Sequence, residues 1–279
     1  MLREKIVHKI LKVPHTLHIG VDTGEQPGTT IVLIHGLART HTIWNYVLKM
    51  LPDNTRVISV DLLGFGASPR PEWKKYNAEE QAMSLRMTLL KKRVRGNVIL
   101  VGHSLGALVA IEYARKYPSA TSALVLCGTP LYKSEPRKLV RSLKLPTGED
   151  LHRSMLRRLR EQSDFTKKLN YYARKVKFIQ DDFIVDDSNM MSVTRSMEMA
   201  IENQSAFEWL MTTEHRTALM YGRFDPFVIK KYYKTLWRHN PNISIHPVLA
   251  AHEINRNKAY AVALASVLGG IIKHPLQSD

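Results

Sequence analysis

Short, almost uninterrupted apolar runs recur along the chain at 30–34, 56–60, 97–101 and 123–127. The first is rich in β-branched residues, and each ends in a polar or glycine step, at His35-Gly36, Asp61, Gly102 and Gly128. Runs this short with no polar face predict strands buried on both sides, as in a parallel sheet. Between them the pattern turns helical, at 42–51, 77–92 and 105–116. Asn77 fits an N-cap with Glu80 three residues on, which is the capping-box spacing, and Pro118 stops the third helix. Strand–helix alternation of this kind predicts a doubly wound α/β sheet.

The alternation breaks between about 131 and 211, where no strand run stands out and helices are expected at 151–161, 165–178 and 191–210. Strand patterns resume at 217–221 and 243–248, and a last helix is expected at 257–268. A helical stretch set between sheet strands reads as an inserted cap. The expected division is therefore a core of 1–130 and 214–279 with a helical cap at 131–213. The chain of 279 residues is long enough for one such core with an insertion.

One turn carries candidate chemistry. Gly102-His103-Ser104-Leu105-Gly106 fits G-x-S-x-G, directly after an expected strand and at the start of an expected helix. A sharp strand-to-helix turn lifts a serine oxygen above a sheet, and the tight packing there demands small neighbours. The pentapeptide alone could be only a glycine-rich turn; its position between strand and helix favours a nucleophile.

A serine hydroxyl is a poor nucleophile at neutral pH and needs a base, which in turn needs an orienting acid. Asp225 and His252 follow the strands expected at 217–221 and 243–248, and sites gather at the carboxyl ends of strands in open α/β sheets. Asp225-Pro226 also fits an ordinary turn capping a helix near 227. Glu135 is a rival acid and His246 a weaker rival base, while His35 and His103 precede the acid in chain order. The oxyanion donors expected are the backbone N–H groups of Leu105, after the nucleophile, and Leu37, in the loop after the first strand run.

Taken with Ile34-His35-Gly36-Leu37, the segment 61–68 (D-x-x-G-x-G-x-S) and Gly222-Arg223-Phe224-Asp225, these motifs resemble those of the α/β-hydrolase superfamily, from about residue 30 to the C-terminus. The chain is most similar to the capped branch of esterases, lactonases, cofactor-free haloperoxidases and carbon–carbon bond hydrolases. The resemblance implies Ser104 as nucleophile, His252 as general base and acid, and Asp225 as its partner. It implies that the turn beginning at Asp61 supports the core. Serine at the elbow argues against the dehalogenases and epoxide hydrolases of the superfamily. Ala251, where a glycine usually precedes the histidine, and Ala107, where many relatives have glycine, blur the subfamily without removing a functional group.

The expected activity is hydrolysis of an ester-like bond in a small, apolar acyl substrate through an acyl-enzyme. Lactone opening and carbon–carbon bond hydrolysis are alternatives on the same three residues, and a non-catalytic receptor or scaffold is the reading from another class. No metal or organic cofactor is expected, because the histidines lack zinc-ligand spacing and no phosphate-cradling glycine loop is present.

Charge adds one question. Lys and Arg number 41 against 25 Asp and Glu, a net +16. Residues 133–177 hold 14 of the cations against 5 acids, so the expected cap carries more than half the excess. That suits either a solvated helix face or weak contact with an anionic membrane surface. No nucleic-acid fold or stacking platform accompanies it, so nucleic acid is not an expected partner. A single cysteine, Cys127, rules out an internal disulfide, and with no signal-peptide pattern a cytoplasmic location is the default expectation. The sequence leaves the oligomeric state open.

Overall fold

Alternate residues of each apolar run pack on opposite faces of one sheet. Val32, Ile34, Ile58, Val60, Leu100, Leu124 and Leu126 join the core on one face. Their neighbours Ile31, Leu33, Val57, Ile99, Val101 and Val125 join a second core on the other. The period of two in side-chain direction thus turns a featureless apolar run into two hydrophobic surfaces.

The computed structural model describes residues 4–26, 28–52, 55–133, 149, 153, 154, 157, 185–255 and 257–273. Its strands are β1 (His18–Asp22), β2 (Thr30–Ile34), β3 (Arg56–Asp61), β4 (Val98–His103), β5 (Ala123–Cys127), β6 (Arg216–Gly222) and β7 (Ile243–Val248). They form one sheet in the order β1-β3-β2-β4-β5-β6-β7, parallel throughout except for the β1–β3 pair. The six strands expected from the apolar runs are all present. β1 was not expected: it is half-buried or exposed along its length, contains Gly20 and carries a register shift, so it lacks the apolar signature of its neighbours.

The α-helices with described bounds are α1 (Asn45–Leu48), α2 (Ala78–Lys91), α3 (Leu105–Lys116), α4 (Met190–Ser196), α5 (Ala206–Thr212), α6 (Lys230–His239) and α7 (Lys258–Lys273). The helix expected at 42–51 is instead a 3₁₀ turn, His41–Trp44, followed by the single turn of α1. Asn77 caps α2 by accepting the Glu80 N–H at 2.9 Å, while Glu80 takes the N–H groups of Lys75 and Tyr76 just before the cap. The helix expected at 191–210 is divided: α4 runs into a π-helical stretch, Met197–Glu202, and α5 begins after a break at 203–205. α7 outlasts its expected end at 268 and buries Tyr260, Ala261, Leu264, Leu268 and Ile271 against the sheet face opposite α3.

Most of the segment expected to form the cap lies outside the described residues, including Glu135 and the helix expected at 165–178. Its described C-terminal part, α4 to α5, buries Val193, Met197, Ala200, Phe207 and Leu210 in the same core as α3.

The chain runs from β2 to β3 on one side, then crosses to β4 on the other, so β2 and β4 lie side by side at a topological switch point. A crevice opens at the carboxyl ends of such a pair. α3 crosses there with almost no separation from the strands. A Cβ on Gly106 would lie 2.2 Å from the carbonyl oxygen of Ile34, and one on Gly102 would lie 2.3 Å from that of Gly106. Both neighbours are backbone, which cannot swing away. Gly106→Ala is therefore expected to cost roughly 3 kcal/mol or more, the upper range of overpacking, read as a lower denaturation midpoint in urea. A variant as stable as the parent would show that α3 has room to move.

Candidate active site

Ser104 stands between β4 and α3 with φ 52° and ψ −115°, a conformation that costs an L-residue energy and persists because the flanking packing enforces it. Its N–H is fixed by the carbonyl of Cys127 on β5 at 2.8 Å. Leu105 follows as the first residue of α3, where a backbone N–H has no intrahelical acceptor. Across the crevice, the loop after β2 comes close enough that a Cβ on Gly36 would be 3.2 Å from the Ser104 Cβ. The half-buried Leu37 belongs to that loop. The elbow, Leu105 and the Leu37 loop thus share one end of the sheet.

Asp225 and His252 extend from β6 and β7 at the same end. His252 Nδ1 donates to Asp225 Oδ2 at 2.8 Å, and both residues are buried. Asp225 Oδ1 accepts the N–H of Phe227 at 2.8 Å. The turn reading and the partner reading of Asp225 therefore hold together, one carboxylate oxygen for each; the helix that follows starts at Lys230 rather than near 227. Burial pushes the His252 imidazole toward neutrality, but the charge and hydrogen bond of Asp225 outweigh it and leave its pKa above the ordinary histidine value. The Phe227 ring meets the imidazole edge-on at 4.7 Å.

Two contacts that no local pattern signals hold the His252 loop. His103, the x of the elbow motif, is buried and donates from Nε2 to the carbonyl of His252 at 2.9 Å. Burial, reinforced by the nearby His252, keeps His103 neutral well below the ordinary histidine pKa. Arg39, in the loop that contains Leu37, pairs with Glu253 at 2.8 Å; their side chains are only 2% and 12% exposed. This ion pair ties the Leu37 loop to the His252 loop. The sequence hint is weak: a charged residue inside an apolar loop, with its partner far along the chain.

Four other described histidines have other occupations. His35 Nε2 accepts the N–H of Leu62 while Nδ1 donates to Gly36, and complete burial holds its pKa at about 4. His246, the rival base, lies within β7 and bonds the Ser244 hydroxyl. Among the described residues, His18, His41 and Asp61 bring potential metal-ligand atoms within 4.8 Å of one another. Each Nδ1 there already donates to the Asp61 carboxylate, at 2.9 and 2.8 Å. Burial disfavours the Asp61 charge, but N–H bonds from Ala67 and His41 overcome it and hold its carboxyl below the usual range. Ser68 donates to the Asp61 carbonyl and accepts the His18 N–H, so the turn from Asp61 to Ser68 braces the core, as its motif implied.

A family model described as alpha/beta hydrolase fold matches residues 29–257. The Arabidopsis thaliana protein named Probable lysophospholipase BODYGUARD 2 is 33% identical over 108 residues, which is 37% of this chain and 23% of that protein. The match thus spans less than a quarter of that relative. Among solved structures, a thermophilic esterase from Thermogutta terrifontis superposes with a TM-score of 0.70 at 22% identity, covering 92% of this chain and 94% of that one. An esterase from Exiguobacterium antarcticum gives 0.72 at 17% identity, covering 92% and 95%. At these identities the structural likeness shows the fold alone.

The Arg39–Glu253 pair offers a test of how the two loops are coupled. Glu253→Gln leaves the Arg39 charge buried without its counter-charge and is expected to cost roughly 3–5 kcal/mol. Arg39→Met combined with Glu253→Leu should recover much of that loss. A double variant that loses as much as Arg39→Met and Glu253→Leu lose singly and summed, measured by denaturant unfolding, would mean the pair carries no coupling.

Proposed function

The chain belongs to the α/β-hydrolase family, and from that premise we propose that it is a serine hydrolase that cleaves a carboxylic ester through an acyl-enzyme on Ser104. The observation that carries the reading is the buried His252–Asp225 hydrogen bond at the end of the sheet where Ser104 sits on its strained turn. Asp225 fixes the imidazole with its proton on Nδ1, which leaves the Nε2 lone pair to accept a proton.

In this mechanism the Ser104 oxygen attacks the ester carbonyl carbon while its proton passes to His252 Nε2. Charge accumulates on the carbonyl oxygen, where the N–H groups of Leu37 and Leu105 stabilise it together with the N-terminal end of α3. Collapse of the tetrahedral species breaks the carbon–oxygen bond to the leaving alcohol, which takes the proton from His252. Water then attacks the acyl-serine, gives a proton to the same nitrogen and releases the carboxylic acid, returning the proton to Ser104. No redox partner is required.

The name of the plant relative favours amphiphilic esters with one long acyl chain as the substrate class. A cap over 131–213, contributed in part by α4 and α5, would close over such a chain. A series of p-nitrophenyl esters of increasing chain length, run beside a lactone and a vinylogous diketone, tests that preference. Preference for the diketone or the lactone would reassign the bond.

A fluorophosphonate probe should label the wild type and fail to label Ser104→Ala; equal labelling of both would remove Ser104 from the role of nucleophile. Asp225→Asn should lower kcat by about 10³–10⁴-fold. Because Asp225 holds the His252 pKa up, the acid limb of kcat/KM in the wild type should lie above pH 6.5, with activity appearing as the imidazole loses its proton. In Asp225→Asn burial is the largest influence left, with Glu253 and Arg39 acting in opposite directions behind it, so that limb should move to lower pH. An unmoved limb would assign it to another group.

A further inference from the structure

We propose that the outer face of α6, with the loop tips at Phe224 and Leu249, is a docking surface for a negatively charged lipid bilayer. α6 is held to the molecule by Tyr233 and Leu236, which are fully buried. Lys230, Lys231, Lys234, Trp237 and Arg238 are exposed on its other side, at spacings of three, four and seven that share a helix face. The helix contains no Asp or Glu, and the exposed Arg223 precedes it. Its cations therefore do not serve intrahelical ion pairs. The carboxylates that meet the helix from other segments are already engaged: Glu149 accepts from the Tyr232 hydroxyl and pairs with Arg153, and Asp225 holds His252.

Three large apolar side chains stand exposed, one on α6 and two on the loops beside its N-terminal end. Trp237 is 51% exposed, Phe224 65% and Leu249 69%. Phe224 and Leu249 lie on adjoining loops, joined by the Phe224 N–H bond to the carbonyl of Ala250. Arg223 and Lys230 are also linked, through the lysine ammonium and the arginine carbonyl. An indole at the level of lipid headgroups, with lysine and arginine stems reaching past it to phosphates, is the chemistry of an interfacial helix. The anionic leaflet supplies the matching charge. Leu249 and the helical array of cations suit acyl chains and headgroups better than stacked bases, which distinguishes this surface from a nucleic-acid groove.

The placement also bears on the site. Phe224 adjoins Asp225, and Leu249 is three residues before His252, so a bilayer on this flank lies beside the carboxyl ends of β6 and β7. An amphiphilic ester would then be delivered from the membrane. That consequence rests on the proposed function; the binding itself does not.

The test is cosedimentation of the full chain with vesicles of phosphatidylcholine, alone or mixed with phosphatidylserine. Wild type is expected to bind the mixed vesicles, not the neutral ones, and to release in high salt as the Debye length falls to about 3 Å at 1 M. Lys230→Gln, Lys231→Gln, Lys234→Gln and Arg238→Gln together should weaken binding at least about tenfold. Trp237→Ala with Leu249→Ala should weaken it separately and make the remainder more salt-sensitive. Unchanged thermal unfolding of both variants, and unchanged turnover of a short soluble ester, shows that the loss is one of docking. No binding of wild type to mixed vesicles, undiminished binding by both variants, or tighter binding to poly(U) than to mixed vesicles would each overturn the proposal. If the wild type binds vesicles but turns over no ester, the docking surface stands and the hydrolase reading fails.

Discussion

The backbone of α3 meets the backbones of β2 and β4 with no room for a side chain between them. That contact is made at Gly102 and Gly106, where any Cβ would collide with main-chain atoms. The geometry of the site depends on it. Bringing the helix this close forces the connecting residue, Ser104, out of the ordinary strand and helix regions into φ 52°. It also places the start of α3, where the Leu105 N–H has no intrahelical acceptor, beside the crevice where β2 and β4 part. Strain at one residue is sustained by the burial of an entire helix face, nine of whose twelve residues are buried. A local conformational cost of a few kcal/mol at most is small beside that burial.

Around this fixed point the other groups are held by opposed forces. His252 is buried, which favours a neutral ring, yet it faces Asp225, which favours the cation; the balance leaves the pKa above normal. Asp225 itself is held at both oxygens, by Phe227 and by His252, so it has no freedom to rotate away. His103, neutral by burial, grips the carbonyl of His252 without competing for its proton. Arg39 and Glu253 then tie the Leu37 loop and the His252 loop, drawn from opposite ends of the chain, to each other.

Much of this was legible before any coordinates. Apolar runs located β2 to β6 because strands buried on both faces leave few polar positions to confuse the pattern, whereas β7 is exposed or half-buried over its middle four residues. β1 escaped notice because an edge strand with half-exposed residues and a glycine has no such pattern. The helix at 77–92 was marked at its start by the Asn77–Glu80 spacing, whereas the break at 203–205 follows no helix-stopping glycine or proline and so was read as continuous. Ser104, Asp225 and His252 were each marked by a position after a strand. His103 was visible as a motif letter but not as a support for His252, since its acceptor lies on another strand's loop.

The amino-acid sequence by itself determined the strand and helix alternation, the small residues at the elbow, and the placing of Ser104, Asp225 and His252 after successive strands, because these follow from local periodicity and steric need. Only the tertiary structure decided that Asp225 divides its oxygens between a turn and His252, that Arg39 answers Glu253, and that the cations of α6 face outward beside an exposed tryptophan. Those outcomes depend on which distant segments the sheet order brings together. Pairwise contact and burial are properties of the assembled layers, and no single stretch of chain contains them.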